Sequence, residues 1–409
     1  MNKSSSIDSF NFFCLLVFVL ASQFSISVTQ IALTLGILTW LTKIQVTRTW
    51  AAQHWPLATP ILAYVLACVI AVLTAHNIEY SFPSLKKLLL LLVFFWVLNS
   101  VDTLRKRNIL VTSLIISSTL AASFGFYQAW EAGALATSLR VEGTFSVYMT
   151  FAGILMMVGL VAASRWIFHH PREHWLLLSV LMIIVCLLFS LTRQAWLGFL
   201  VGSIYLIWNW RKLYLVVLPV LISAILVTSP IAPKVSPIGN IFKDRLWGIM
   251  SGNDDTLRTR ISLWKTGMLI FKDNLLTGCG FKCVDQVHKS YPDPQGHVAK
   301  LRGMHNNFIQ LAVDTGFLGL AAWVWIWVAF LRQVYRKLVN PAVSTEERWI
   351  LHASSAVVLA FLAGGFFESN FYDEEVVMVL YFIIALPFAC APSTLALRHT
   401  YTPQPRNYL

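Results

Sequence analysis

Long apolar runs separated by short polar breaks make up most of this chain. They fall at about 10–22, 27–42, 57–75, 86–100, 108–128, 147–168, 174–190, 194–209, 213–229, 306–331, 349–366 and 375–393. Their interiors are continuous rather than alternating, which predicts helices and not barrel strands. A bilayer core of about 30 Å takes roughly 20 apolar residues per helix, so the pattern predicts an all-α integral membrane protein of about 12 transmembrane helices. One long polar interval interrupts it. The expected organisation is a membrane domain over 1–229 with spans one to nine, an external loop over 230–305, a second membrane domain over 306–393 with spans ten to twelve, and a tail over 394–409.

Within the polar interval, Leu257, Ile261, Trp264, Met268 and Phe271 recur at helical spacing. They predict an amphipathic helix at about 256–272, introduced by the capping residues Asn253-Asp254-Asp255-Thr256 and followed by a turn at Thr277-Gly278-Cys279-Gly280. Arg258, Arg260 and Lys265 ride on this helix away from the centre of that stripe. Such a helix is expected to lie on the membrane surface or the bundle and to hold its arginines over the mouth. The stretch 284–304, with Pro292, Pro294 and Gly296, reads as irregular.

Composition agrees: 57% of the 409 residues are hydrophobic and 12% charged, more apolar surface than a soluble core of this size needs. The formal charge of +12 does not point to nucleic acid, because the basic residues sit in short clusters between apolar runs. Their placement reports topology instead. With the N-terminus in the cytoplasm, sixteen Lys and Arg fall on the cytoplasmic side and four (Lys86, Lys87, Arg140, Arg193) in short external loops, which obeys the positive-inside rule. The first apolar run lacks a small-residue cleavage site before a polar domain and is expected to be an uncleaved span. The external segment carries eleven basic and six acidic residues, which suits an anionic partner. Cys14, Cys68, Cys186 and Cys390 lie in apolar runs and read as small hydrophobes; Cys279 and Cys283 share the polar loop, near enough to pair.

Candidate chemistry gathers where the polar interval ends. Gly303-Met304-His305-Asn306-Asn307 puts a histidine at both a helix N-terminus and a membrane surface. There the first-turn amides carry partial positive charge, and His305 becomes a candidate general base. The alternative is an interfacial cap, with polar side chains satisfying exposed amides. Arg193 stands between two apolar runs with almost no loop to solvate it, Arg140 occupies the preceding external loop, and Arg260 the external helix; all three share His305's side. A planar, permanently charged guanidinium suits phosphate. Pairing of Arg193 with Glu368, Asp373, Glu374 or Glu375 is the competing account. The sequence holds no phosphate-cradling glycine loop, zinc-ligand spacing or nucleotide fingerprint, so neither metal nor cofactor is expected.

Several stretches together resemble the O-antigen ligase/polymerase superfamily of bacterial inner-membrane glycosyltransferases. His305-Asn306, then Gly316-Phe317-Leu318-Gly319, resembles its histidine motif; Ser190-Leu191-Thr192-Arg193-Gln194-Ala195-Trp196-Leu197-Gly198 its membrane-arginine motif, departing from it at Gln194 where a small residue is usual. Arg260-Ile261-Ser262-Leu263-Trp264, Leu276-Thr277-Gly278-Cys279-Gly280 and Arg140-Val141-Glu142-Gly143-Thr144-Phe145 are similar to further segments in the same order. The resemblance implies metal-independent, inverting transfer of a glycan from undecaprenyl-pyrophosphate to lipid A–core oligosaccharide at the periplasmic face of the inner membrane. His305, Arg193 and Arg260 are the implied catalytic residues, and Arg140, Arg258, Asn306, Gly316 and Gly319 the implied substrate-binding ones. An O-antigen polymerase or a protein O-oligosaccharyltransferase is the alternative within the superfamily. A lipid or solute transporter is the alternative outside it, and would place ionisable groups at mid-membrane depth rather than at the external ends.

Overall fold

The computed structural model describes residues 3–131, 140–215 and 255–390. Among them every element is helical. In chain order they are α1 (Lys3–Ala21), α2 (Ile26–Thr47), α3 (Ala58–Leu73), α4 (Ile78–Ser100), α5 (Leu104–Glu131), α6 (Tyr148–Phe168), α7 (His174–Phe189), α8 (Arg193–Trp210), α9 (Asp255–Asp273), α10 (Asn307–Leu338), α11 (Thr345–Gly364) and α12 (Glu374–Ala385).

Each expected apolar run within the described residues falls on one of these helices. Five (α2, α4, α5, α6 and α10) are both long and apolar enough to cross a bilayer by themselves, which makes a multi-pass membrane protein. Length accounts for part of the difference from the expected twelve, since Ser5–Ala21, Ala58–Leu73 and His174–Phe189 are apolar but shorter than a full span and α12 has 12 residues. Helices α8 and α11, with 18 and 20 residues, are long enough but carry too many polar and charged positions. Residues 216–229 of the expected span at 213–229, the loop from 230 to 254 and the tail lie outside the described residues.

Burial identifies the centre of the bundle. The spanning window of α6 is 83% buried and that of α2 only 28%, so α6 is surrounded by protein while α2 presents Ile31, Leu35 and Leu38 outward, as a lipid-facing helix does. Helices α6, α8 and α11 pack together through small residues. A Cβ on Gly198 would stand 2.6 Å from the Ala360 carbonyl oxygen, and one on Gly202 3.0 Å from that of Ala356. This small-x-x-x-small stripe lets α8 approach α11 closely and fixes the height of Arg193 at its first turn.

α10 is broken within its span. Gly316 has φ 65° and ψ −165°, a conformation essentially reserved for glycine. Four backbone bonds are rerouted there: Phe317 and Leu318 N–H donate to the carbonyls of Leu275 and Leu276, while Val313 and Asp314 carbonyls accept from Cys279 and Gly280 N–H. The Gly-rich turn is thereby stitched into the helix, satisfying groups the break exposes. A disulfide joins Cys279 to Cys283 in the same turn.

α9 lies where the amphipathic helix is expected, but its buried face is centred elsewhere. Leu263, Thr266, Gly267 and Ile270 are buried, whereas Ile261 and Met268 are about two-fifths exposed. The reason is that α9 has two apolar sides: one packs on the start of α10, where a Cβ on Gly267 would meet Met304 and Ile309. The stretch 284–304 is irregular at 291–296, where Pro292, Pro294 and Gly296 lie, but has short helical turns at Val284–Ser290 and His297–Leu301, with the Asp293 carboxylate accepting from the N–H groups of His297, Val298 and Ala299.

Candidate functional site

His305 precedes α10 with a left-handed backbone (φ 45°) and is held from both sides. Before it, Met304 is fully buried; its N–H donates to Gln310 Oε1 at 2.8 Å and its carbonyl accepts from Trp264 Nε1 at 3.0 Å. After it, Asn306 caps the helix, its Oδ1 accepting from Phe308 and Ile309 N–H and its Nδ2 donating to the Phe366 carbonyl at 2.9 Å. A side-chain cap of this kind contributes on the order of 1 kcal/mol to the helix end. Asn306 is thus engaged at both ends of its amide within the protein, which is the capping role weighed from sequence.

The segment between α11 and α12 closes over this point. Asn307 N–H donates to the Gly365 carbonyl, its Nδ2 to Asn370 Oδ1 at 2.6 Å, and its Oδ1 accepts from Phe371 N–H. Ser369 Oγ accepts from Asn306 N–H. These bonds hold Glu368 against His305: Nδ1 to Oε1 is 3.0 Å, with side-chain exposures of 28% and 12%, leaving the ring more open than its partner. An ionised carboxylate can only accept, so in a neutral ring this contact favours the tautomer with its proton on Nδ1 and its lone pair on Nε2. Ser369 N–H donates to the same oxygen at 3.1 Å.

Arg260 completes the cluster, its Nη2 lying 3.9 Å from Glu368 Oε2. It belongs to the line Arg260, Trp264, Gly267 and Phe271 along α9, the side that meets His305's neighbours, as the Trp264 bond to Met304 requires. Arg258 and Lys265 are exposed on the same helix.

Arg193 reaches the same region through backbone packing. It opens α8 after Thr192, and the Gln194 carbonyl oxygen lies 3.2 Å from where a Cβ on Gly364 would be, beside the Asn370 amide. Asn307 accordingly meets one side of the Gly364–Gly365 turn and the first turn of α8 the other. Arg140 is held by Tyr148, donating to its hydroxyl and lying 4.6 Å from its ring centroid. The adjoining Val141 N–H donates to the Phe189 carbonyl, which brings this segment to the same end of the bundle as Arg193.

Gly316 makes room for backbone, since a Cβ there would stand 2.3 Å from the Leu276 carbonyl oxygen, and Gly319 for a side chain, since a Cβ there would stand 2.0 Å from Thr315 Oγ1. Sequence reasoning missed Glu368 as the partner of His305, weighing it only against Arg193. It also missed the buried chain in which Gln310 Nε2 and Tyr372 Oη both donate to the Asp314 carboxylate. The signal for that chain was present, since Gln310 and Asp314 are polar at helical i,i+4 spacing inside an apolar run. Outside the spans, Tyr291 donates to Asp273 Oδ2 at 2.8 Å; burial and that carboxylate push its phenol up to about 12.

In comparisons with known proteins, residues 177–324 match the family model described as O-antigen ligase. A search of curated proteins found no match. The matched region contains Arg193, Arg258, Arg260, His305, Asn306, Gly316 and Gly319, while Glu368 and Arg140 lie beyond it.

Proposed function

We propose, from the match of residues 177–324 to the O-antigen ligase family model, that the protein transfers a glycan from undecaprenyl-pyrophosphate to lipid A–core oligosaccharide, at the periplasmic face of the inner membrane and without metal. The observation that carries the reading is the 3.0 Å pair between His305 and Glu368 with Arg260 at 3.9 Å. With Nδ1 held by the carboxylate, Nε2 accepts the proton of the acceptor hydroxyl. The hydroxyl oxygen attacks the anomeric carbon, the bond from that carbon to the phosphate oxygen breaks, and the pyrophosphate departs from the opposite face with inversion. Arg260 and Arg193 stabilise the charge gathering on the leaving group.

Asn306 is a positioning residue in this reading, and Gly316 and Gly319 shape the helix that carries it. Arg140 and Arg258 act through the glycan or phosphate rather than through His305. The Cys279–Cys283 disulfide supports an oxidising compartment for this end of the bundle.

The test is transfer by the purified protein from undecaprenyl-pyrophosphate-linked glycan, with lipid A–core and a second lipid-linked repeat offered in parallel and EDTA present. Product on lipid A–core, absent with His305→Ala, is the expected result. Extension on the lipid carrier would assign a polymerase, and transfer to neither would overturn the reading.

A further inference from the structure

A cavity of about 100 Å³ opens beside Lys87 and is lined by Phe371 and Tyr372, the residues that follow Glu368 into α12; its lining includes none of His305, Glu368, Arg193 and Arg260. One wall is unusual. From Phe82 to Leu91, α4 is a 3-10 helix of 10 residues, well beyond the usual run of about 3–4. With three residues per turn, Ser84, Lys87 and Leu90 fall on one line, and all three face the cavity. In an α-helix the same residues would drift apart by about 60° per step. The 3-10 winding therefore builds a single ridge that runs from hydroxyl to ammonium to hydrocarbon.

The rest of the lining repeats that gradient. Leu91, Val377 and Tyr381 are buried and make the inner lining largely apolar, with Asp314 as its buried carboxylate, while Lys282, exposed and with a left-handed backbone (φ 59°), adds a second ammonium. Lys87 Nζ is anchored by the Tyr372 carbonyl at 2.6 Å and stands 3.9 Å from the Glu374 carboxylate, itself shared with Gln30. The two ammonium groups thus face the Glu374 carboxylate, while the second carboxylate of the lining, the buried Asp314, is already held by Gln310 and Tyr372. Lys87 is also among the four basic residues that the sequence places in short loops on the side where such residues are disfavoured.

We propose that this cavity binds a phosphate-headed amphiphile, the phosphate at Lys87 and Lys282 and the start of the apolar chain along Leu90, Leu91 and Val377. The inference is independent of the transfer reaction, because it concerns equilibrium binding at residues that reaction does not use. Two sources share the chemistry, a bilayer phospholipid and a polyprenyl phosphate. Thermal unfolding and native mass spectrometry of the purified full chain in neutral detergent, with dioleoylphosphatidylglycerol, farnesyl phosphate, dioleoylglycerol or inorganic phosphate, separate them.

The expected result is binding and stabilisation by one or both phosphate lipids and by neither the neutral lipid nor inorganic phosphate, the stronger of the two naming the source. Affinity should fall about fivefold in Lys282→Gln and about 30-fold in the Lys87→Gln/Lys282→Gln double variant, from roughly 1 kcal/mol per basic residue. Lys282 is exposed, so its variant reports even if the double variant fails to fold. Binding unchanged in both Lys282→Gln and Ser84→Trp, which would block the mouth, overturns the proposal, as does equal binding of dioleoylglycerol or of inorganic phosphate.

Discussion

The two ends of the stretch from His305 to Gly319 read alike in the sequence and do opposite work in the structure. At the first end the information is in a side chain: His305 stands 28% exposed with its Nδ1 against Glu368 and its backbone pinned by neighbours on both sides. At the other end the side chain is what must be missing, since Gly316 and Gly278 bring two segments of backbone together so closely that a Cβ at either would stand about 2.5 Å or less from main-chain atoms. A motif in one line of sequence can therefore combine a chemical group with the joint that aims it. The same loss of activity at each end would have different causes.

The largest separation should come from His305→Ala. Transfer is expected to fall about 10²- to 10⁴-fold, the usual worth of a general base, with the unfolding temperature in detergent unchanged. Gly316→Ala should do the reverse, lowering stability by about 3 kcal/mol or more through strain and the clash with Leu276, seen as a lower unfolding temperature and poor monodispersity. A Gly316→Ala protein as stable as the parent would remove the distinction between the two ends.

Glu368→Gln should reduce transfer about 10- to 100-fold, less than His305→Ala because Nε2 survives while the ring loses the carboxylate that orients it. Its rate across pH sharpens the assignment, for a purely structural Glu368 would lower the rate uniformly without altering the profile. Replacing both Cys279 and Cys283 by serine should cost about 2 kcal/mol, the chain-entropy value for so short a loop, read from thermal unfolding with and without reductant.

The smallest effect is expected at Tyr291. Its phenol is held up to about 12 by burial and Asp273, so the folded state retains a proton that the unfolded chain gives up near 10. Stability from this contact is complete below about pH 10 and is lost as pH rises toward 12. Tyr291→Phe should flatten the alkaline limb of the unfolding-temperature profile and leave neutral pH unaffected.

Much of this was legible in the residue order. Continuous apolar runs with clustered charges can only be helices in a bilayer, because a lipid environment demands that backbone groups be satisfied within the segment. His305 and Arg193 stood out because ionisable groups beside hydrocarbon need a reason, and Arg260 through its place in a family-like segment of the external helix. The face of α9 was misjudged because hydrophobic periodicity locates an apolar stripe but not its partner, and this helix has apolar residues on both sides.

What the sequence determined by itself was the helical class, the chemical kinds present at one end of the bundle, and the glycines that tolerate a break. The tertiary structure alone decided that Glu368, sixty-three residues from His305, is the group its imidazole meets, that the Leu275–Gly280 turn supplies the bonds the broken helix lacks, and that Ser84, Lys87 and Leu90 form one ridge. The physical reason is common to all three. Each depends on distance and direction between segments far apart in the chain or on local helical winding, and neither is carried by residue type or spacing alone.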